Sequence, residues 1–166
     1  MSMKLAFFDV DGTLSVPRYF IDGRFQIGTD DRGWIEYCEE HREDSYEFCF
    51  GSKPVRAYAE KRKEEGCRLF VLSSIASDLE MDAKTKFVKR VYPGLFEDFF
   101  YVRKDLDKLD VIREMAEKNG VELEECELVE DTLAILFPAN RLGIRATHIS
   151  MLTSEENDAE ANEYNQ

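Results

Sequence analysis

Lys4-Leu5-Ala6-Phe7-Phe8-Asp9-Val10-Asp11-Gly12-Thr13-Leu14 is the stretch on which the fold turns. Leu5 to Phe8 is a short apolar run bounded by a charge and then a glycine, the pattern of a strand buried on both faces of a parallel sheet. It ends in two carboxylates one residue apart. In an extended chain Asp9 and Asp11 lie on the same side, projecting from the C-terminal end of the strand. Open α/β sheets bind ligands at that end. Gly12 permits a sharp turn, and Thr13 carries a hydroxyl that can bond to the backbone or to a bound anion.

Carboxylates this close repel unless a cation, a proton or a role in acid–base transfer holds them together. With Mg²⁺ beside them, one can attack a phosphoryl group while the other handles the leaving-group proton. The plainer reading is a strand followed by an Asx-turn, because Asp-Gly is among the commonest turn dipeptides. The stretch alone leaves these two readings level, so the rest of the chain has to separate them.

The 166 residues suit one domain with a substantial core. Thirty-five acidic against 22 basic residues give a formal charge of −13. That balance argues against nucleic acid or an anionic membrane as a partner, yet it allows a small phosphorylated substrate in a locally positive pocket. The N-terminal apolar run is broken by Asp9 and no later run is long enough to span a bilayer, so no signal peptide or membrane segment is expected. Cys38, Cys49, Cys67 and Cys126 form no CxxC pair and read as free thiols in a reducing, cytoplasmic setting.

After Leu14, aromatic and β-branched residues flank Asp22-Gly23, which predicts a β-hairpin flap over about 16–27, beside the carboxylate pair. Such a flap reads equally as a substrate shield or as a small packed lid without specificity. A helix near Arg32–His41 and a short strand at Tyr46–Phe50 complete an insert spanning about 15–52. Pro54 opens a helix to Glu65 with Gly66 just beyond it. The run Cys67–Leu72 is a second buried strand, parallel to the first by the crossover rule, and it ends in Ser73-Ser74. Ser77-Asp78-Leu79-Glu80 is a capping box for a helix over 78–91. A strand at Phe96–Val102, a helix at Leu109–Lys118 and a strand at Glu127–Val129 follow, the last ending in Glu130-Asp131-Thr132. Thr132–Leu142 is helical, with Pro138 expected to kink or split it, and a last strand lies at 144–150. The expected architecture is therefore α/β: a three-layer, Rossmann-like parallel sheet with helices on both faces, plus the flap and insert after the first strand. One core domain covers 1–152, and the acidic 153–166 is a solvated tail.

Asp-x-Asp-Gly-Thr, then serine, then lysine, then Glu-Asp at successive strand ends resembles the haloacid dehalogenase (HAD) superfamily, whose members are mostly Mg²⁺-dependent phosphatases and phosphomutases. The resemblance spans about residues 4–150 and rests on these four motifs in order. It implies that Asp9 attacks phosphorus to form an aspartyl-phosphate, and that Asp11 protonates the leaving oxygen and later activates water. Ser73, Val10 and a lysine would hold the phosphoryl oxygens. Mg²⁺ would be held by Asp9, Asp131 and the main-chain carbonyl of Asp11, with Glu130 binding directly or through water. Lys108, at a helix start, fits the family's spacing to Asp131, whereas Lys104 lies closer to the end of its strand; Lys108 is favoured. The fourth motif departs from a common form in which glycine precedes the aspartate and another acid follows one turn later; here those positions are Glu130 and Ile135.

Asp11 sorts the subclass, since the dehalogenases lack the second aspartate. The resemblance therefore implies phosphate monoester hydrolysis, with phosphomutase or another phosphotransferase as runner-up and a non-catalytic binding protein on the same scaffold as the reading from another class. The insert is small for a cap domain. An open site suits a bulky or protein-linked phosphate, or a lid supplied by oligomerisation.

Overall fold

The computed structural model describes residues 2–153, so the expected acidic tail lies almost wholly outside the described residues. In chain order the elements are β1 (Leu5–Phe8), β2 (Ser15–Val16), β3 (Tyr19–Ile21), β4 (Arg24–Gln26), α1 (Asp31–Glu40), β5 (Phe50–Gly51) and α2 (Lys53–Glu64). Then come β6 (Arg68–Ser74), α3 (Asp78–Val91), β7 (Asp98–Val102), α4 (Lys108–Asn119), β8 (Cys126–Glu130), α5 (Leu133–Arg141) and β9 (Arg145–His148). Five strands form one sheet in the order β7-β6-β1-β8-β9, every neighbouring pair parallel.

β1 is apolar throughout because both of its faces are covered. Ala6 and Phe8 pack with Val55 and Ala59 of α2 and with Ala83, Phe87 and Val88 of α3. Leu5 and Phe7 point the other way, toward Leu109, Ile112 and Ala116 of α4 and Ile135, Leu136 and Ala139 of α5. Phe7 and Phe8 are fully buried, each contributing about 2 kcal/mol of transfer free energy to its own layer. This clamp fixes the strand end, and Asp9 N–H continues it by donating to Val129 O at 3.1 Å.

The chain moves outward from β1 through β6 to β7, then crosses back to the far side of β1 for β8 and β9. That reversal makes a switch point between β1 and β8, where side connections part and leave a crevice at the C-terminal edge. Asp9 and Asp11 follow β1; Glu130 ends β8 and Asp131 follows it. The sheet topology alone thus brings the first and last acidic motifs to one place.

The hairpin forms as β3 and β4, with Asp22 at φ 52° and Gly23 at φ 75°. Two positive φ values match the tight turn whose twist suits a hairpin. Two local expectations change. Residues 42–49 form turns rather than a strand, because Tyr46 is fully buried against Trp34, Tyr19 and Phe87; the strand is β5, paired antiparallel with β2. α5 runs unbroken through Pro138. The proline removes a bond to the Ala134 carbonyl, and Ala134 is exposed, so water can replace it. All four cysteines are free and buried, and burial pushes the thiols up: Cys38 and Cys126 to about 11, Cys67 to about 12.

Candidate active site

Gly12 is where the chain leaves β1, at φ 71°. Thr13 N–H and Ser15 N–H donate to Val10 O at 3.2 and 2.8 Å, and Leu14 N–H donates to Asp9 O at 3.3 Å. The loop so formed holds Asp9 and Asp11 at the edge of a cavity of about 380 Å³, which Lys108, Glu130 and Asp131 also line. Its outer wall comes from the insert, through Pro17, Tyr19, Ile27 and Trp34. A side chain at Gly12 has no space: a Cβ there would lie 2.1 Å from Asp131 Oδ2.

Each aspartate has its own lysine, and the two lysines come from opposite helical layers. Lys108, the first residue of α4, places Nζ 3.0 Å from Asp9 Oδ1 and 2.7 Å from Glu130 Oε2. Lys84, in the middle of α3, places Nζ 2.9 Å from Asp11 Oδ2. Both lysines are 1% exposed. Burial works against their charge, but the surrounding carboxylates outweigh it and push both pKa values up, so each remains an ammonium ion.

The carboxylates respond in the opposite sense. Burial raises the Asp9 pKa, with Lys108 and Lys84 opposing and Asp11 adding to the rise. Glu130 is pushed up to about 9 by burial first and by Asp9 second, against the pull of Lys108. Two buried carboxylates around one ammonium leave a surplus negative charge, and the site therefore calls for a proton or a cation.

Asp9, Glu130 and Asp131 each offer a carboxylate oxygen, and these lie within 4.8 Å of one another. A cluster of oxygen donors without cysteine or histidine fits Mg²⁺ and not a structural zinc site. Asp11 is not part of this cluster, because its carboxylate faces Lys84 and Tyr46 Oη, the latter donating to Oδ1 at 2.7 Å. His148 Nε2 lies 3.0 Å from Asp131 O and steadies the loop that carries the third carboxylate.

Val10 turns its side chain into the core, so it meets the site only through its main chain. Ser73 is buried and its Oγ accepts from Lys84 Nζ at 3.0 Å, whereas the neighbouring Ser74 lines the cavity. Lys104 is exposed and lines an adjoining cavity with Arg103, while Lys108 touches Asp9. Lys84, Glu80, Tyr46 and Ser74 were not expected in the site. Glu80 shows why: the capping box forms only in half. Ser77 Oγ accepts from Glu80 N–H at 3.2 Å, but the Glu80 carboxylate takes Ala76 N–H at 2.7 Å and Lys84 Nζ at 2.9 Å.

No protein-family model matches this chain, and no curated protein matches it. Solved structures do. A candidate phosphoglycolate phosphatase from Lactobacillus delbrueckii subsp. bulgaricus is 13% identical over 87% of this chain and 85% of its own, with a TM-score of 0.60. The N-terminal part of a Bacteroides fragilis protein, containing a phosphatase domain complexed with Mg, is 16% identical over 87% of this chain and 35% of its own, with a TM-score of 0.54. A HAD-family enzyme of Bacteroides thetaiotaomicron, crystallised as a variant with magnesium and inorganic phosphate, is 13% identical over 98% of this chain and 100% of its own, with a TM-score of 0.53. At these identities the likeness is one of fold: the chain has the parallel α/β fold of HAD-type phosphatases.

Proposed function

We propose that this protein is a Mg²⁺-dependent phosphatase that hydrolyses a phosphate monoester through an aspartyl-phosphate on Asp9. The observation that supports it most is the pairing of Asp9 with Lys108 inside a cavity that also holds Asp11, Glu130 and Asp131. An Asp9 carboxylate oxygen attacks phosphorus, the bond to the leaving oxygen breaks, and Asp11 gives that oxygen its proton. Water then attacks the phosphoenzyme and loses its proton to Asp11. The bond between phosphorus and Asp9 breaks, releasing inorganic phosphate and restoring both aspartates.

Lys108 lies where it can hold a phosphoryl oxygen as well as Asp9, and the main chain at Val10 and the Ser73–Ser74 strand end supply further polar groups. Asp9, Asp131 and Glu130 would hold Mg²⁺, with the Asp11 main-chain carbonyl as a further ligand. When bound, the ion supplies charge neutralisation for phosphoryl oxygens and for the surplus carboxylate charge. Structures sharing the fold include a D,D-heptose 1,7-bisphosphate phosphatase from Burkholderia thailandensis, which agrees with a small phosphorylated substrate.

The test is phosphate release from a broad set of phosphorylated metabolites, with and without Mg²⁺. Release that needs Mg²⁺ and disappears in Asp9→Asn is expected. Substrate binding without release across the set would favour a non-catalytic binding protein, and transfer of phosphate between positions of one substrate would favour a phosphomutase.

A further inference from the structure

Lys84 is a buried ammonium surrounded by acceptors. Its Nζ lies 2.9 Å from Asp11 Oδ2, 2.9 Å from Glu80 Oε1 and 3.0 Å from Ser73 Oγ, and it also donates to the main-chain carbonyl of Ser74. An ammonium ion has three protons. With four acceptors already present, Lys84 has no donor left for a phosphoryl group. In this it differs from Lys108, which donates hydrogen bonds to Asp9 and Glu130 and has its third carboxylate neighbour, Asp105 Oδ1, further off at 3.5 Å.

Three of these partners are buried or part of a strand and are held by packing. Asp11 is not: its side chain is 44% exposed at the cavity mouth. A carboxylate so exposed would sample several rotamers if left alone. Instead each of its oxygens accepts from a fully buried donor, Lys84 on one and Tyr46 on the other. The two donors come from separate parts of the chain, α3 and the insert, and Tyr46 is itself fixed among Trp34, Tyr19 and Phe87. Two rigid donors on two oxygens allow one orientation.

We propose that Lys84 is a positioning residue that aims the Asp11 carboxylate into the cavity, with Tyr46 of the insert as the second hold. The proposal rests on Asp11 being the acid and base of phosphoryl transfer. Glu80 and Ser73 act through Lys84, and the insert contributes to the chemistry by orienting Asp11 as well as by walling the cavity.

Lys84→Met tests this, together with Tyr46→Phe and with Lys84→Met/Glu80→Gln, which removes both buried charges at once and guards against misfolding. Misplacement of an acid–base group should lower kcat by about 10²-fold with no rise in KM for 4-nitrophenyl phosphate. Tyr46→Phe should move kcat the same way by about fivefold. In an Asp11→Asn background neither substitution should lower the rate further, because the group they aim is gone. A rise in KM, or a further loss in the Asp11→Asn background, would mean that Lys84 binds phosphoryl oxygen directly and would overturn the proposal. Crystals of wild type and of Lys84→Met/Glu80→Gln give a readout independent of turnover. Asp11 should change rotamer in the variant, and an unmoved carboxylate would refute the positioning role. A wild-type protein that releases no phosphate refutes the hydrolase reading instead, and the crystals alone then decide about Lys84.

Discussion

Lys108 reaches across 99 residues of chain to set its ammonium 3.0 Å from Asp9 Oδ1. The same nitrogen serves Glu130 at 2.7 Å, so one positive charge holds two buried carboxylates together at the end of β1 and β8. The pair is structural and chemical at once. It fixes the proposed nucleophile and leaves Asp9 and Glu130, when both are ionised, with one negative charge more than Lys108 balances.

Removal of that ammonium should therefore hurt twice. Lys108→Met leaves Asp9 and Glu130 buried without a counter-charge, for which breaking a buried pair costs about 3 kcal/mol. Urea unfolding of the metal-free protein should show a loss of that order, and phosphate release should fall by about 10²-fold. Lys104→Met is the control. Lys104 is exposed and does not touch Asp9, so both quantities should stay near wild type. Damage from Lys104→Met with Lys108→Met near wild type would mean that Lys104, and not Lys108, serves the site.

The excess charge makes the metal-free protein sensitive to pH. Glu130 titrates near 9 in the folded state against an ordinary value of 4.5, and Asp9 is raised as well. Between those values the folded protein binds more protons than the unfolded chain, so stability present at low pH is lost as pH rises toward 9. Under the proposed function, Mg²⁺ would take the place of the proton. The rise in melting temperature on adding Mg²⁺ should consequently be larger at pH 8 than at pH 6. Differential scanning fluorimetry with and without a chelator at the two pH values measures this, and equal shifts would mean that Glu130 and Asp9 are not coupled to the ion.

Gly12 carries a sharper steric prediction. Alanine at φ 71° costs about 1–2 kcal/mol from the left-handed backbone alone. Its methyl would also overlap Asp131 Oδ2, which it would approach to 2.1 Å. Gly12→Ala should therefore displace Asp131 and abolish the Mg²⁺-dependent rise in melting temperature, while the far side of the sheet stays folded. Retention of a wild-type Mg²⁺ response would show that Asp131 is not needed for the ion.

Much of this site was legible because backbone rules placed it. Leu5–Phe8 reads as buried from its apolar run, Gly12 reads as a turn, and Asp22-Gly23 announces its hairpin. Parallel crossovers then bring Asp9 and Asp131 to one edge without any knowledge of side chains. What resisted reading is charge whose meaning depends on tertiary packing. Glu127 and Glu130 are both acids in one short strand, and both are buried. Glu127 is held away from the cavity by Arg62 Nε at 2.8 Å and Thr147 Oγ1 at 2.6 Å, whereas Glu130 meets Lys108. Glu80 reads as half of a capping box, and Lys84 belongs to no motif. They are buried because α3 packs over the loop that carries Asp11. Tyr46 looked like a strand residue for the same reason: only the folded insert shows that its hydroxyl ends on Asp11.

The two aspartates separate in a labelling experiment. If Asp9 is the nucleophile, Asp9→Asn should abolish turnover, because an amide cannot form the acyl-phosphate. The fold should survive, since Lys108 keeps Glu130 as a partner. Asp11→Asn removes the proton donor and the base for water but leaves Asp9 able to attack. With 4-nitrophenyl phosphate, whose leaving group needs little protonation, the first step should still run. Hydrolysis of the phosphoenzyme then slows, and the intermediate accumulates. Intact-mass measurement after brief mixing should show one added phosphate in Asp11→Asn and none in Asp9→Asn, and peptide mapping should place it on Asp9. Phosphate on any other residue, or turnover surviving in Asp9→Asn, would rule out Asp9 as the nucleophile. The absence of an accumulating species in Asp11→Asn would assign the acid–base role to a group other than Asp11.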